Sequence, residues 1–279
     1  MIVGMIGGFF VLAALLFLIL FRKEKMKMRE FYEKNGGSIL EKAKIIKLFK
    51  KEELKDILKS KNLIGKGGFG ENIVRLIGCC LEVDTPMLVY EFLPKGNLED
   101  LLHSNNNSVP LSIDMRLTIA AQAADGLAYM HSQTSNKILH GDVKPANILL
   151  NDKFMPKISD FGISRLIARD KEHANNIIGL LTEKSDVYSF GVVILELISR
   201  RKATHSDDNA LIRSFVEAHK DKTRVTELFD NEIALASNLE LLHSLARIAV
   251  DCLNRDVDQR PSMMDVAEHL LLLNRSCNP

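Results

Sequence analysis

The chain has 279 residues, enough for one large domain or two small ones, and its 46% hydrophobic and 26% charged content is ordinary for a globular protein. Disordered and collagen-like chains are excluded. Lys+Arg 37 against Asp+Glu 36 leaves a net charge of +1, so no basic footprint points to nucleic acid as a partner. Cys79, Cys80, Cys252 and Cys277 form no C-x-x-C pair and are too sparse for a disulfide scaffold, which indicates reduced thiols.

From Met1 to Phe21 there is no charged residue. About 20 apolar residues in a helix span roughly 30 Å, the thickness of the hydrocarbon core, so 1–21 is expected to be a transmembrane helix with the lipid bilayer as partner. A cleaved signal peptide would have a basic start, a shorter apolar run and a small-residue cleavage site. Arg22, Lys23, Lys25, Lys27 and Arg29 against Glu24 and Glu30 form a basic flank expected on the cytoplasmic side. Gly4 and Gly8 are a G-x-x-x-G pair that would let two spans approach as a homodimer. Residues 22–60 read as a basic juxtamembrane segment, a solvated helix or flexible linker, with Gly36-Gly37-Ser38 as a turn and Leu54, Ile57 and Leu58 at helical spacing. Its cations can also hold anionic headgroups at about 1 kcal/mol each.

The first chemical signal is the G-x-G-x-x-G run from Gly65 through Gly67, Gly68 and Phe69 to Gly70. Glycines there let backbone approach phosphate oxygens with no Cβ in the way. A Rossmann turn needs a helix directly afterwards, whereas Ile73 to Ile77 is β-branched, so a hairpin covering a nucleotide fits better. The second signal is His140-Gly141-Asp142-Val143-Lys144-Pro145-Ala146-Asn147, followed 13 residues after Asn147 by Asp160-Phe161-Gly162. An Asp to accept a hydroxyl proton, a Lys two residues on, an Asn and a second Asp are the set that metal-assisted phosphoryl transfer needs.

With these motifs the sequence resembles the eukaryotic protein kinases from about Lys61 to Arg275. HGDVKPANILL, LVYEF, RLIGCCLE and RDVDQRPSM resemble plant receptor-like serine/threonine kinases, most closely the wall-associated group. The resemblance implies an α+β, bilobal kinase fold: a truncated N-lobe β-sheet in 61–93 and a mainly helical C-lobe in 94–275, behind the span. It implies ATP and Mg²⁺ as cofactors, protein Ser/Thr hydroxyls as substrates, and a plasma-membrane location with the kinase domain in the cytosol. By the same resemblance Asp142 is the base and Lys144 contacts the phosphate. Asn147 and Asp160 hold Mg²⁺, the glycine loop covers ATP, Tyr90 is the gatekeeper, and the backbones of Glu91 and Leu93 face adenine. Asp114 to His131 reads as an amphipathic helix leading into the catalytic loop, with Leu117, Ala120, Ala124, Leu127 and Met130 on one face. Asp186 to Arg200 is apolar nearly all round and reads as the buried C-lobe helix whose first Asp holds the catalytic loop.

Three departures stand out. Gly141 replaces the arginine that pairs with a phosphorylated activation loop in many kinases. Gly65 to Asp142 is 77 residues against roughly 115 to 120 in the family, and Asn72 to Leu76 already matches the fourth strand, so the V-A-I-K lysine and the αC glutamate have no counterpart. Asp160 to Asp186 is only 26 residues, which removes the A-P-E-like segment and leaves Arg260 to reach solvent or find another carboxylate. These features leave open a working kinase, a membrane-tethered pseudokinase scaffold, and the product of a gene whose full form is a kinase. The histidines outside the catalytic loop read as surface or packing residues, Cys79 and Cys80 as core, and the sequons at Asn106 and Asn274 as cytosolic and unmodified.

Overall fold

The computed structural model describes residues 2–44, 46–53, 72–104, 110–132, 138–160, 182–203 and 210–277, with side chains from Val11 onward and without that of Lys222. Two compact units result. One holds the described residues up to 53 together with 75–92; the other holds 72–74 and everything from Leu93.

In the first unit, helix α1 (Ile2–Lys34) runs from the apolar stretch into the basic flank without a break. It stops where Gly36 adopts φ 78, a left-handed conformation that glycine takes without penalty, and the short helix α2 (Gly37–Ala43) turns back from there. Among the described residues no helix is long and apolar enough to cross a membrane. The side chains of the expected span are described only from Val11, and from there the apolar run ends at Phe21, so the structure does not by itself supply that span.

Strands β1 (Lys47–Leu48), β2 (Leu76–Cys80) and β3 (Met87–Tyr90) form a sheet in that order, β1 parallel and β3 antiparallel to β2. β1 comes from the stretch read as juxtamembrane. Gly78 permits its approach, since a Cβ there would lie 2.1 Å from the Lys47 carbonyl oxygen. The fourth-strand expectation over Asn72–Leu76 shifts: Val74 N donates to Ile158 O (2.9 Å) and Asn72 O accepts from Ile158 N (2.8 Å), so 72–74 lie in the second unit and the strand begins at Leu76. The first unit's core is small, Phe49 and Cys80 with Ile77, Val83 and Val89 against them. The Asn35 amide fastens the end of α1 by donating to Leu81 O (3.1 Å) and Val83 O (2.9 Å).

The second unit is mainly helical: α3 (Leu98–His103), α4 (Ile113–Ser132), the hairpin β4 (Ile148–Leu150) and β5 (Pro156–Ile158), then α5 (Glu183–Ser199), α6 (Ala210–Ala218), α7 (Lys222–Thr226), α8 (Leu239–Cys252) and α9 (Met263–Cys277). The expected face of α4 is the buried one, with Leu117, Ala120, Ala124, Leu127 and Met130 in one continuous core with the apolar residues of α5. α9 packs along α4, and α8 along α5. Burial raises the thiols of Cys79 and Cys80, and pushes Cys252 up to about 12, so these three act as small hydrophobes rather than thiolates.

A buried cation that the apolar pattern conceals fixes this unit. The Arg116 side chain on α4 is 0% exposed and bonds Asp230 (2.5 Å), Glu232 (3.0 Å) and the carbonyls of Leu111 and Leu197 (both 2.8 Å). It joins the start of α4, the end of α5 and the 230–232 loop. Removing one member of such a network strands buried charge, so Arg116→Ala is expected to lower the unfolding free energy of the chain by about 3–5 kcal/mol in urea titrations followed by circular dichroism.

Candidate active site

The site is built on the start of α5. Thr182 caps it through a reciprocal capping box with Ser185, and Asp186 in the first turn is buried at 2% exposure. Its Oδ2 accepts from the His140 backbone N–H (2.9 Å) and its Oδ1 from that of Gly141 (2.8 Å), while His131 Nε2 at the end of α4 lies 2.8 Å from Oδ2. Burial raises the Asp186 pKa, but the His131 hydrogen bond and the two backbone donors outweigh it and hold the carboxyl below its ordinary value.

His140, 1% exposed, faces inward, its Nε2 3.0 Å from Ser159 O and its Nδ1 accepting from Asp142 N–H (3.2 Å). Desolvation by burial lowers its pKa despite the nearby Asp186. The ring therefore braces the loop as a neutral imidazole. Asp142 is left pointing outward, with its Oδ2 3.0 Å from Asn147 Nδ2 and 2.7 Å from Lys144 Nζ. The Asn147 amide also donates to Asp142 O (2.8 Å). Half-exposed and aligned by two donors, Asp142 keeps Oδ1 without a partner among the described residues.

The β4–β5 hairpin brings the second Asp to this loop. Its register sets Ile148 opposite Ile158, so Ser159 N–H and Oγ both donate to Asn147 O (2.9 and 3.0 Å). Asp160 follows directly, exposed and in a left-handed conformation at φ 57. Asp142, Lys144 and Asn147 thus sit together on one loop of the second unit, and the hairpin places Asp160 one residue beyond the Ser159–Asn147 bonds. Asn147 spends its N–H donors on Asp142 and leaves Oδ1, which with the Asp160 carboxylate is the hard-oxygen donor type that Mg²⁺ takes.

The other expected positions divide. Gly65, Gly67, Gly68, Phe69 and Gly70 lie outside the described residues. Glu91, in the first unit, pairs with Arg75 twice, N–H to Arg75 O (3.0 Å) and Oε1 from Arg75 N–H (2.9 Å). Leu93, the first residue of the second unit after the crossing, is buried and accepts from Gly96 N–H (3.3 Å). Arg260 finds neither solvent alone nor a new carboxylate among the described residues. It donates to the carbonyls of Asn254 (2.8 Å) and Lys184 (3.0 Å) and lies 4.7 Å over the Tyr188 ring, while Lys184 donates to Arg260 O. A cation can be satisfied by carbonyl dipoles and a ring face as well as by an anion.

Beside Lys144 a groove of about 940 Å³ opens, lined by Val143, Pro145, Tyr188 and Glu196 and by α6. Glu196 is 5% exposed and is held by His103 (2.5 Å). His103 and His131, read as surface or packing residues, are both polar partners of α5 carboxylates. No local motif marks them, since their partners are 93 and 55 residues away.

This loop, hairpin and buried helix follow the layout expected of a protein kinase C-lobe, and comparison with known proteins agrees on the family. Residues 33–270 match the family of protein tyrosine and serine/threonine kinases, and the chain belongs to that family. Within it the chain is similar to plant receptor-like kinases of the wall-associated type: it is 42% identical over 217 residues to wall-associated receptor kinase 5 of Arabidopsis thaliana, covering 71% of this chain and 30% of that protein. It is 40% identical to the putative wall-associated receptor kinase-like 16 of the same plant, over 71% of this chain and 50% of that one. The chain thus spans about a third to a half of the length of these relatives. Among solved structures, the pseudokinase domain of BIR2, an immune regulator of the RLK/Pelle family, superposes with TM-score 0.65 at 28% identity, covering 84% of this chain and 73% of that one.

A neutral buried imidazole binds fewer protons than the same group in the unfolded chain. His140 therefore contributes fully above its ordinary 6.5, and that contribution is lost as pH falls below it. Asp186 adds a second loss beneath its ordinary 3.8. Urea unfolding at pH 7.5 and 5.5 should show a lower midpoint at 5.5, and His140→Asn should flatten that difference.

Proposed function

We propose that this chain is a membrane-anchored receptor-like serine/threonine kinase by descent, in which transfer of the ATP γ-phosphate to protein hydroxyls is impaired. The observation that carries the kinase reading is the Asp142–Lys144–Asn147 cluster, aligned by hydrogen bonds of 2.7–3.0 Å on a loop fixed to Asp186. Asp142 Oδ1 accepts the proton of the incoming hydroxyl, Lys144 offers a cation to the transferring phosphate, and Asn147 and Asp160 would hold Mg²⁺. Mg²⁺, when bound, neutralises charge on the phosphate oxygens. The groove beside Lys144 is the place for the protein segment that presents the hydroxyl.

The impairment rests on what the sequence lacks. Lys47 is the one lysine on the described strands of the first unit, and it lies on the edge strand remote from β3, 4.4 Å from the Phe49 ring. It offers no replacement for the third-strand lysine. Losing one well-placed charge donor costs about 10²- to 10³-fold in rate, and losing the substrate-receiving segment adds a positioning penalty on the other reactant. In detergent micelles with ATP, Mg²⁺ and a generic protein substrate, the full chain should transfer phosphate no faster than its Asp142→Asn variant. A rate well above that variant overturns the impairment. The pseudokinase reading, a membrane-tethered binding scaffold, is favoured by the BIR2 likeness, and it gains if nucleotide binding is also absent.

Anchoring is supported by the uncharged run 1–21 and by the continuous helix α1, whose apolar side chains from Val11 to Phe21 are 51–68% exposed where they are large. The chain should stay in the pellet after carbonate extraction of membranes; its release would refute the anchor.

A further inference from the structure

The strongest feature outside the catalytic loop is a cavity of about 1390 Å³ in the first unit, beginning at Phe21 and running between α1, α2 and the sheet. Its apolar lining includes Leu40, Leu48, Phe49, Leu76, Ile77 and Leu81. Its cations are Arg22, Lys25, Arg29, Lys44, Lys47 and Lys50, six against the three carboxylates of Glu41, Glu52 and Glu82. Two of those carboxylates are already engaged, Glu41 by the Tyr32 hydroxyl (2.8 Å) and Glu82 by the Lys51 N–H (2.8 Å). None of the six cations forms an ion pair among the described residues, although Lys51 and Lys34 nearby do.

We propose that this cavity holds one anionic diacyl phospholipid from the leaflet at which α1 emerges, headgroup on the basic rim and acyl chain against the apolar lining. The proposal rests on the anchoring reading above. Two independent features select this occupant. A soluble anion would use the cations and leave the apolar interior wet, while an apolar peptide would leave six cations unneutralised. A phospholipid satisfies both, and the exposed apolar run Val11–Phe21 leads from a bilayer directly to the cavity mouth. At more than the roughly 300–1,000 Å³ of small-molecule sites, the volume also suits a chain-bearing ligand. Lipid binding would then cover the apolar side of a unit whose own core is small.

The test uses the full chain in neutral-detergent micelles and phosphatidylserine carrying a photoactivatable group on one acyl chain, with cross-links mapped by mass spectrometry. Cross-links at Leu40, Leu48 or Leu81 are expected. Arg29→Gln/Lys44→Gln/Lys47→Gln removes three cations from the headgroup rim and should weaken labelling there roughly 100-fold, whereas Arg29→Lys/Lys44→Arg/Lys47→Arg should label as the parent chain does. Equal labelling of these sites by phosphatidylcholine carrying the same photoactivatable group, labelling confined to residues before Arg22, or full displacement by an equal concentration of glycerophosphoserine overturns the proposal. Carbonate extraction reads the anchor separately: labelling in the cavity by a chain that carbonate releases supports the lipid site and rejects only the anchor.

Discussion

The Asp186 carboxylate is the constraint on which the catalytic loop depends. Its two oxygens take the backbone N–H groups of two consecutive residues, His140 and Gly141, so the loop cannot rotate without leaving a buried charge unpaired. That cost is of the order that unfolds small domains. Everything downstream follows by covalent geometry. Asp142 is turned outward because His140 is turned inward, Asn147 is placed because its amide closes on Asp142, and Asp160 is placed because the hairpin register returns the chain to Asn147. His131 makes the arrangement part of α4 as well. The loop is thus fastened to two buried helices.

The first unit has a different balance. Its sheet has three strands, one of them only Lys47–Leu48, and its core residues are few. Such a sheet needs a covered face to stand. α1 and α2 supply part of that cover through Asn35 and the Tyr32–Glu41 hydrogen bond, and burial together with that bond pushes the Tyr32 phenol up to about 12. β1 shields one edge of β2 with backbone hydrogen bonds that need only Gly78 to make room.

That Asp142, Lys144 and Asn147 lie together was legible in the sequence because they carry a fixed local spacing, and the hairpin that brings Asp160 near Asn147 needs only a short turn. The helices α4 and α5 were legible from their apolar faces to within one residue at the start of α4 and three at the start of α5. What escaped is polar and long-range. Arg116 looks like a surface cation on an amphipathic helix, and only its partners 114 and 116 residues on make it a core residue. Strand β1 escaped because two residues of no marked propensity pair with a distant strand through backbone atoms alone. Arg260 was expected to reach solvent or another carboxylate; it is instead half-buried on the carbonyls of Asn254 and Lys184, which no local pattern announces.

The division between the units shows that the loop carrying Asp142 is held from within one unit. Each restraint on Asp142 and Asn147 comes from the second unit, as do Arg116 and its acidic partners. None of these interactions requires the glycine loop or a third-strand lysine. Changes in the glycine-loop sequence should therefore leave the fold that holds the loop intact. The groove beside Lys144 stands on the same terms, since its walls include α5, α6 and the loop itself. A well-formed loop is therefore evidence of a stable second unit, and it does not by itself measure turnover, which depends on what is stabilised in the transition state.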